Sequence, residues 1–208
     1  MPRYIALFKP YGVLSCFTHE AQSAADAGKR TLSEFGLPPG VYAAGRLDYD
    51  SEGLLILSDD GGFIHRLTDP RHKLPKTYWA QVEGEPAESQ LNQLRRGVMM
   101  RDYRTRPCRA RVLAAGIAPA ESNGPFPQLL LAGEPVELPP RDKPVTPHGP
   151  TAWIELILTE GKKRQVRHMT ASVGLPTLRL IRVAIGPLTI QGLLPGQWRD
   201  LSPADILL

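Results

Sequence analysis

The sequence predicts an α+β fold built on a mixed sheet, and three observations predict it. Strand-like segments, apolar or alternating, recur along most of the 208 residues; the helix-like stretches between them are few and scattered; no regular βαβ repeat is present. Hydrophobic residues make up 42% of the chain, enough for a sizeable core in one large domain or two small ones and too many for wholesale disorder.

The elements follow in order. Tyr4 to Phe8 is an apolar run halted by Lys9-Pro10-Tyr11-Gly12, a buried strand entering a turn. Asp26 to Phe35 predicts a short helix before the Gly36-Leu37-Pro38-Pro39-Gly40 breaker. Val41 to Ala44 reads as strand, residues 45–50 as a structured loop, Leu54 to Leu57 as strand, Asp59-Asp60 as a turn and Phe63 to Leu67 as a short helix. Thr77 to Val82 alternates as a strand does, and Ala87 to Arg96 is helical with Leu91 and Leu94 on one face. Arg109 to Ala114 is a further strand. Gly116 to Pro150, dense in proline and glycine, predicts a long loop with at most one hairpin around Leu129 to Leu138, a composition that also fits a linker between halves. Trp153 to Leu158 resumes the sheet, Gln165 to Val173 is a helix stopped by Gly174 and Pro176, and Leu178 to Ile185, Leu188 to Ile190 and Trp198 to Leu201 are strands. Ser202 and Pro203 are a cap and first residue for a last helical turn.

The 25 Lys and Arg residues against 21 Asp and Glu give a formal net charge of +4, so clustering matters more than the total. Arginines 95, 96, 101, 104, 106, 109 and 111 share their stretch with only one acid, Asp102. A second group is Lys162, Lys163, Arg164, Arg167, Arg179 and Arg182. Either alone fits a solvated face. Two such groups in a small chain favour a phosphate-bearing partner, because the guanidinium fork matches phosphate geometry. Cys16 and Cys108 are too few for a disulfide framework or a cysteine-based metal site, and the five histidines lack metal-ligand spacing, so no metal is expected. The amino-terminal apolar run is too short for a signal peptide and no stretch reaches transmembrane length, which predicts a soluble cytoplasmic protein with no membrane partner.

The densest chemical signal is Gly45-Arg46-Leu47-Asp48-Tyr49-Asp50-Ser51-Glu52-Gly53 leading into Leu54 to Leu57. With a period of two, Arg46 and Asp48 share a face while Leu47 anchors the other, presenting a carboxylate with a guanidinium beside it. Pattern alone fits a turn-stabilising ion pair equally well. On helical spacing Arg164 and His168 share a face, with Arg167 three positions beyond Arg164; His168 fits a solvated helix position. From pattern alone, Tyr78 reads as core or rim and Leu180 as a core strand residue.

This segment resembles the catalytic motif of the pseudouridine synthases, in the branch typified by the small-subunit enzyme. The likeness runs through Phe8-Lys9-Pro10-Tyr11-Gly12-Val13-Leu14, residues 40–48, Lys76-Thr77-Tyr78, residues 160–169 from Glu160 to Met169, and residues 176–182 from Pro176 to Arg182. It is nearest to members acting on large-subunit (23S) ribosomal RNA that have no S4 RNA-binding domain. The resemblance implies a single catalytic domain over residues 1–208, with a largely antiparallel central sheet, flanking helices and a cleft between two halves. It implies isomerisation of a uridine within RNA: the N1 to C1′ bond breaks, the uracil turns, and C5 joins C1′, with no cofactor.

Carried over residue by residue, the resemblance makes Asp48 the catalytic aspartate and Arg167 its charge partner. Tyr78 packs on the target uracil, Leu180 forms an apolar wall, and Arg46 fills the space left by the everted base or holds a phosphate. Lys162, Lys163, Arg164 and Arg182 are the expected RNA-backbone contacts, and a monomer is expected. Alternatives are the same reaction on another RNA, a non-catalytic RNA-binding or ribosome-assembly protein, and, more weakly, a hydrolase pairing Asp48 with Asp50.

Overall fold

A computed structural model describes residues 1–18, 26–72, 74–124, 129–131, 133–136, 138–202 and 205. Its strands are β1 (Tyr4–Lys9), β2 (Tyr42–Ala43), β3 (Glu52–Ser58), β4 (Lys76–Glu83), β5 (Arg109–Ile117), β6 (Leu129–Leu131), β7 (Glu134–Val136), β8 (Thr151–Leu158), β9 (Thr177–Ile185), β10 (Leu188–Thr189) and β11 (Trp198–Asp200). The helices are α1 (Gly61–Thr68), α2 (Glu88–Arg96) and α3 (Gln165–Ser172).

Among the described residues nine strands form one sheet in the order β11-β1-β3-β9-β4-β8-β5, with β10 on β9 and β2 on β3; β6 and β7 make a separate hairpin. All neighbours are antiparallel except β3 and β9, so the expected mixed, largely antiparallel sheet is what forms. The parallel contact is confined to Glu52 opposite Ile181 and Gly53 opposite Arg182, and it joins the β11-β1-β3 half to the β9-β4-β8-β5 half.

Gly53 permits that junction. Its φ is +104°, and a Cβ there would lie 2.3 Å from the Arg182 carbonyl oxygen and 2.7 Å from the Arg182 nitrogen, so only glycine lets the strands approach.

Side-chain alternation places apolar residues on both faces. Ala6, Phe8, Leu54 and Ile56 join one core with Trp79, Trp153, Ile181 and Val183, beneath Phe63 and Leu67 of α1. Ile5, Leu7, Leu55 and Leu57 face the opposite way, onto Val13, Leu32, Val41 and Leu47. A third core packs Leu91 and Leu94 of α2 and Val166 and Met169 of α3 over Ala80, Ile154, Leu156 and Leu180. Strands covered on both faces read as continuous apolar runs, which is why β1, β3 and β9 are visible in the sequence.

Three expectations need correction. The helix predicted over Asp26 to Phe35 is only a 3₁₀ turn, Leu32–Phe35. Gly28 is left-handed and Thr31 extended, while Leu14 N donates to Arg30 O and Leu32 N to Cys16 O, both at 2.9 Å, so this backbone bonds to its neighbour instead of to itself. Asp60 is more than a turn residue: it caps α1, its carboxylate accepting from Phe63 N at 3.0 Å. The proline-rich segment is no linker either. It carries the one expected hairpin, buries Leu131, Val136 and Leu138 in the core, and is tied by reciprocal Asn123 and Val145 hydrogen bonds of 2.8 and 2.6 Å. In the expected last turn, Pro203 and Ala204 lie outside the described residues; Ser202 Oγ donates to Asp205 at 2.8 Å.

Candidate active site

The loop before β3 carries the site. Leu47 is buried, and its backbone is gripped at both ends by Ser15: the hydroxyl accepts from Leu47 N at 3.0 Å and donates to Leu47 O at 2.8 Å. The flanking residues face the other way, Arg46 exposed and Asp48 half-buried, as the period of two predicts. Ser51 N then donates to Asp48 O at 3.0 Å, closing a turn that delivers the chain into the β3–β9 junction. Along that junction Gly53 lies beside Arg182, which is opposite Tyr78 on β4. Tyr78 is half-buried against the core that holds Leu180, so both expected pocket residues share one side of the sheet.

The positive charges gather on this loop, but the direct partner is Asp50. Arg164 donates through Nη1 and Nη2 to the two Asp50 carboxylate oxygens at 2.8 and 2.9 Å. Arg167 donates through Nη2 to the Asp50 carbonyl at 2.7 Å and through Nη1 to Thr177 O at 3.0 Å, and its Nε lies 3.3 Å from the Asp50 carboxylate. Arg167, the expected charge partner of Asp48, acts on Asp48 through space while its direct bonds go to Asp50 and Thr177. Burial alone raises Asp50, but the Arg164 hydrogen bonds and the Arg167 charge outweigh it and hold its carboxyl below the usual range. Arg164 is the one described non-glycine residue with positive φ, 54°, held there at the amino end of α3, so it precedes the helix instead of sharing its face with His168.

Among the described residues no side chain hydrogen-bonds or ion-pairs with the Asp48 carboxylate. It sits in the field of Arg164, Arg167 and Lys9. Lys9 is fully buried, its Nζ donating to Pro10 O at 2.9 Å and Val13 O at 2.7 Å. Burial pushes its amine down to about 7, against the pull of Glu52, Asp50 and Asp48 and with the repulsion of Arg182. Sequence reasoning treated Lys9 only as the start of a turn. A lysine ending a fully apolar strand was the available signal.

Below the loop, Glu52 and Arg179 make a buried two-pronged ion pair of 2.9 and 2.8 Å, and Arg179 also donates to Pro139 O. Arg182, expected on the RNA-facing surface, is placed in the interior at 4% exposure, its Nε donating to Leu54 O at 2.9 Å. It belongs to a central strand covered on both faces, which leaves its side chain nowhere to reach solvent. Lys162, Lys163 and His168 are exposed as expected, and Lys162 Nζ lies 3.4 Å from the centre of the Tyr103 ring. No cluster of three His, Cys, Asp or Glu among the described residues is placed to hold a metal ion, and no described helix is long and apolar enough to cross a membrane.

A carboxylate presented without a bonding partner and ringed by cations at the junction of a mixed sheet is an arrangement suited to chemistry on a polyanionic substrate. Comparison with known proteins makes the class specific. Residues 3–172 match the family described as RNA pseudouridylate synthase, and the chain belongs to that family. It is 56% identical over 197 residues to the ribosomal large subunit pseudouridine synthase E of Xanthomonas campestris, covering 94% of this chain and 93% of that one. It is 43% identical to the enzyme of the same name from Vibrio vulnificus, over 96% of this chain and 76% of the relative. A crystal structure of a pseudouridylate synthase superposes with a TM-score of 0.72 at 24% identity, covering 99% of this chain and 73% of that chain, a likeness of fold.

Proposed function

We propose that this pseudouridine synthase modifies a uridine in large-subunit ribosomal RNA, with Asp48 as its catalytic carboxylate. The observation that carries the reading is that Asp50 takes the direct bonds of Arg164 and Arg167, leaving the Asp48 oxygens unengaged inside their positive field. A carboxylate so placed keeps its lone pairs for the ribose or the uracil. The N1 to C1′ bond breaks, C5 bonds to C1′, the C5 proton passes to solvent and N1 gains one, so the reaction is a balanced isomerisation.

Eversion of the uridine costs a few kcal/mol in lost stacking and pairing. Tyr78 and Leu180 offset this by receiving the uracil, and exposed Arg46 occupies the space it leaves. RNA lies over the junction of the two sheet halves, its phosphates met by Lys162, Lys163 and the edge of Arg164. From there a basic face continues through Arg101, Arg104, Arg106 and Arg109. These are exposed, without ion pairs to described residues, and joined to the Lys162 loop where Arg106 N donates to Glu160 at 2.8 Å. The names of the two relatives support the choice of ribosomal RNA.

The test is a pseudouridine map of ribosomal RNA from cells lacking the gene, complemented with wild-type or Asp48→Asn protein. Loss of one large-subunit site that only the wild type restores is expected; an unchanged map overturns the proposal.

A further inference from the structure

We infer that Tyr11, Tyr49 and Arg141 form a stacking platform for an unpaired nucleotide of the substrate RNA next to the target uridine. The inference rests on the function proposed above and adds a binding subsite to it.

Tyr49 immediately follows Asp48, yet this large aromatic residue is 36% exposed. Tyr11 stands beside it, ring centres 6.4 Å apart and tilted by 48°. The pairing is fixed by backbone: Gly12 N donates to Tyr49 O at 2.9 Å, and Gly12 takes a φ of +70° to turn the chain there. The aromatic pair is therefore rigidly coupled to the catalytic turn. Cations complete the surface, with the Arg141 guanidinium 4.2 Å from the Tyr11 ring centre and Lys29 Nζ 4.9 Å from that of Tyr49.

Arg141 is the most telling member. It is half-buried, and burial works against its charge, but among the described residues it has no carboxylate ion pair; only Nε is engaged, donating to Lys143 O. Its position is held from two residues upstream, where Pro139 O accepts from buried Arg179 at 3.1 Å. A half-buried guanidinium over a tyrosine ring, with its outer donors unused among the described residues, suits a nucleobase plane or a phosphate. Everting a uridine exposes its neighbours, and aromatic and arginine planes bind such bases whatever their sequence.

The test first maps the uridine that wild-type enzyme modifies in a full-length large-subunit ribosomal RNA transcript. A short synthetic RNA carrying that site is then made intact and with an abasic residue beside the uridine. Tyr11→Leu and Arg141→Gln are each expected to raise KM for the intact RNA by about tenfold, with kcat falling by less. The abasic residue is expected to lower kcat/KM about tenfold for wild type but less than about twofold for either variant, because the stacking partner is already lost. Circular dichroism checks each variant, and if Tyr11→Leu does not fold, Arg141→Gln carries the same comparison. Equal abasic penalties in wild type and variants overturn the platform while leaving the proposed function intact. Absence of wild-type turnover on the transcript overturns the function itself.

Discussion

Replacing Glu52 with glutamine removes the negative half of the ion pair beneath the Asp48 loop and leaves Arg179 charged at 2% exposure. Breaking a buried pair in this way costs about 3–5 kcal/mol, because the remaining charge has lost both its water and its counter-ion. The retained bond to Pro139 O and an amide oxygen at position 52 point to the lower end, about 3 kcal/mol. For a chain of this size each kcal/mol shifts Tm by about 2–4 °C, giving a fall of about 6–12 °C. Urea unfolding followed by the fluorescence of buried Trp79 and Trp153 measures it directly. Adding Arg179→Met to Glu52→Gln removes the orphaned charge and is expected to recover 1 kcal/mol or more, on the order of a known ion-pair replacement. A cost below about 1 kcal/mol for Glu52→Gln, or a double variant no more stable than the single, refutes the reasoning.

Other outcomes follow from the same geometry. Asp50→Asn frees the Arg164 fork to engage Asp48 and removes the charge opposite Arg167 Nε, while the Arg167 bonds to main-chain carbonyls remain; kcat is expected to fall on the order of 10²-fold, with a smaller change in RNA affinity, in single-turnover and filter-binding assays. Because the folded Asp50 carboxyl is held below its ordinary value, its stabilisation is fully present above about pH 4 and lost as pH falls through the folded value. The stability gap between wild type and Asp50→Asn in urea unfolding is therefore expected at pH 7 and is expected to shrink at pH 3. Gly53→Ala forces a methyl group onto the Arg182 backbone and is expected to cost about 3 kcal/mol or more, read as a lower urea midpoint or insoluble protein. Arg104→Ala and Arg106→Ala are each expected to reduce the salt slope of RNA binding by about 0.7–0.9, and an unchanged slope removes that face from the interface.

Much of the fold was legible in the sequence because the central strands are covered on both faces and read as unbroken apolar runs. Leu91 and Leu94 likewise marked α2 by spacing alone. The region around Gly28 to Leu32 was misread because its backbone hydrogen bonds go to residues 14–16, a tertiary pairing that local propensity does not encode. At the site, alternation about Leu47 correctly separated Arg46 and Asp48 from the core. It could not show which carboxylate Arg167 meets, since that depends on the Asp48–Ser51 turn swinging Asp50 toward α3. Arg182 was expected at the surface because charge in a sequence suggests solvent, whereas its side chain is buried in a central strand and bonds to a main-chain carbonyl; buried Lys9, at the end of β1, likewise bonds to main-chain carbonyls.

The most direct measurement pairs binding with turnover in purified, folded Asp48→Asn. Large-subunit ribosomal RNA carrying tritium at uridine C5 should release tritium to water with wild-type protein and none with the variant, while both retain RNA in a filter-binding assay within about threefold. Tritium release by the variant at a rate near that of wild type would show that another group performs the chemistry.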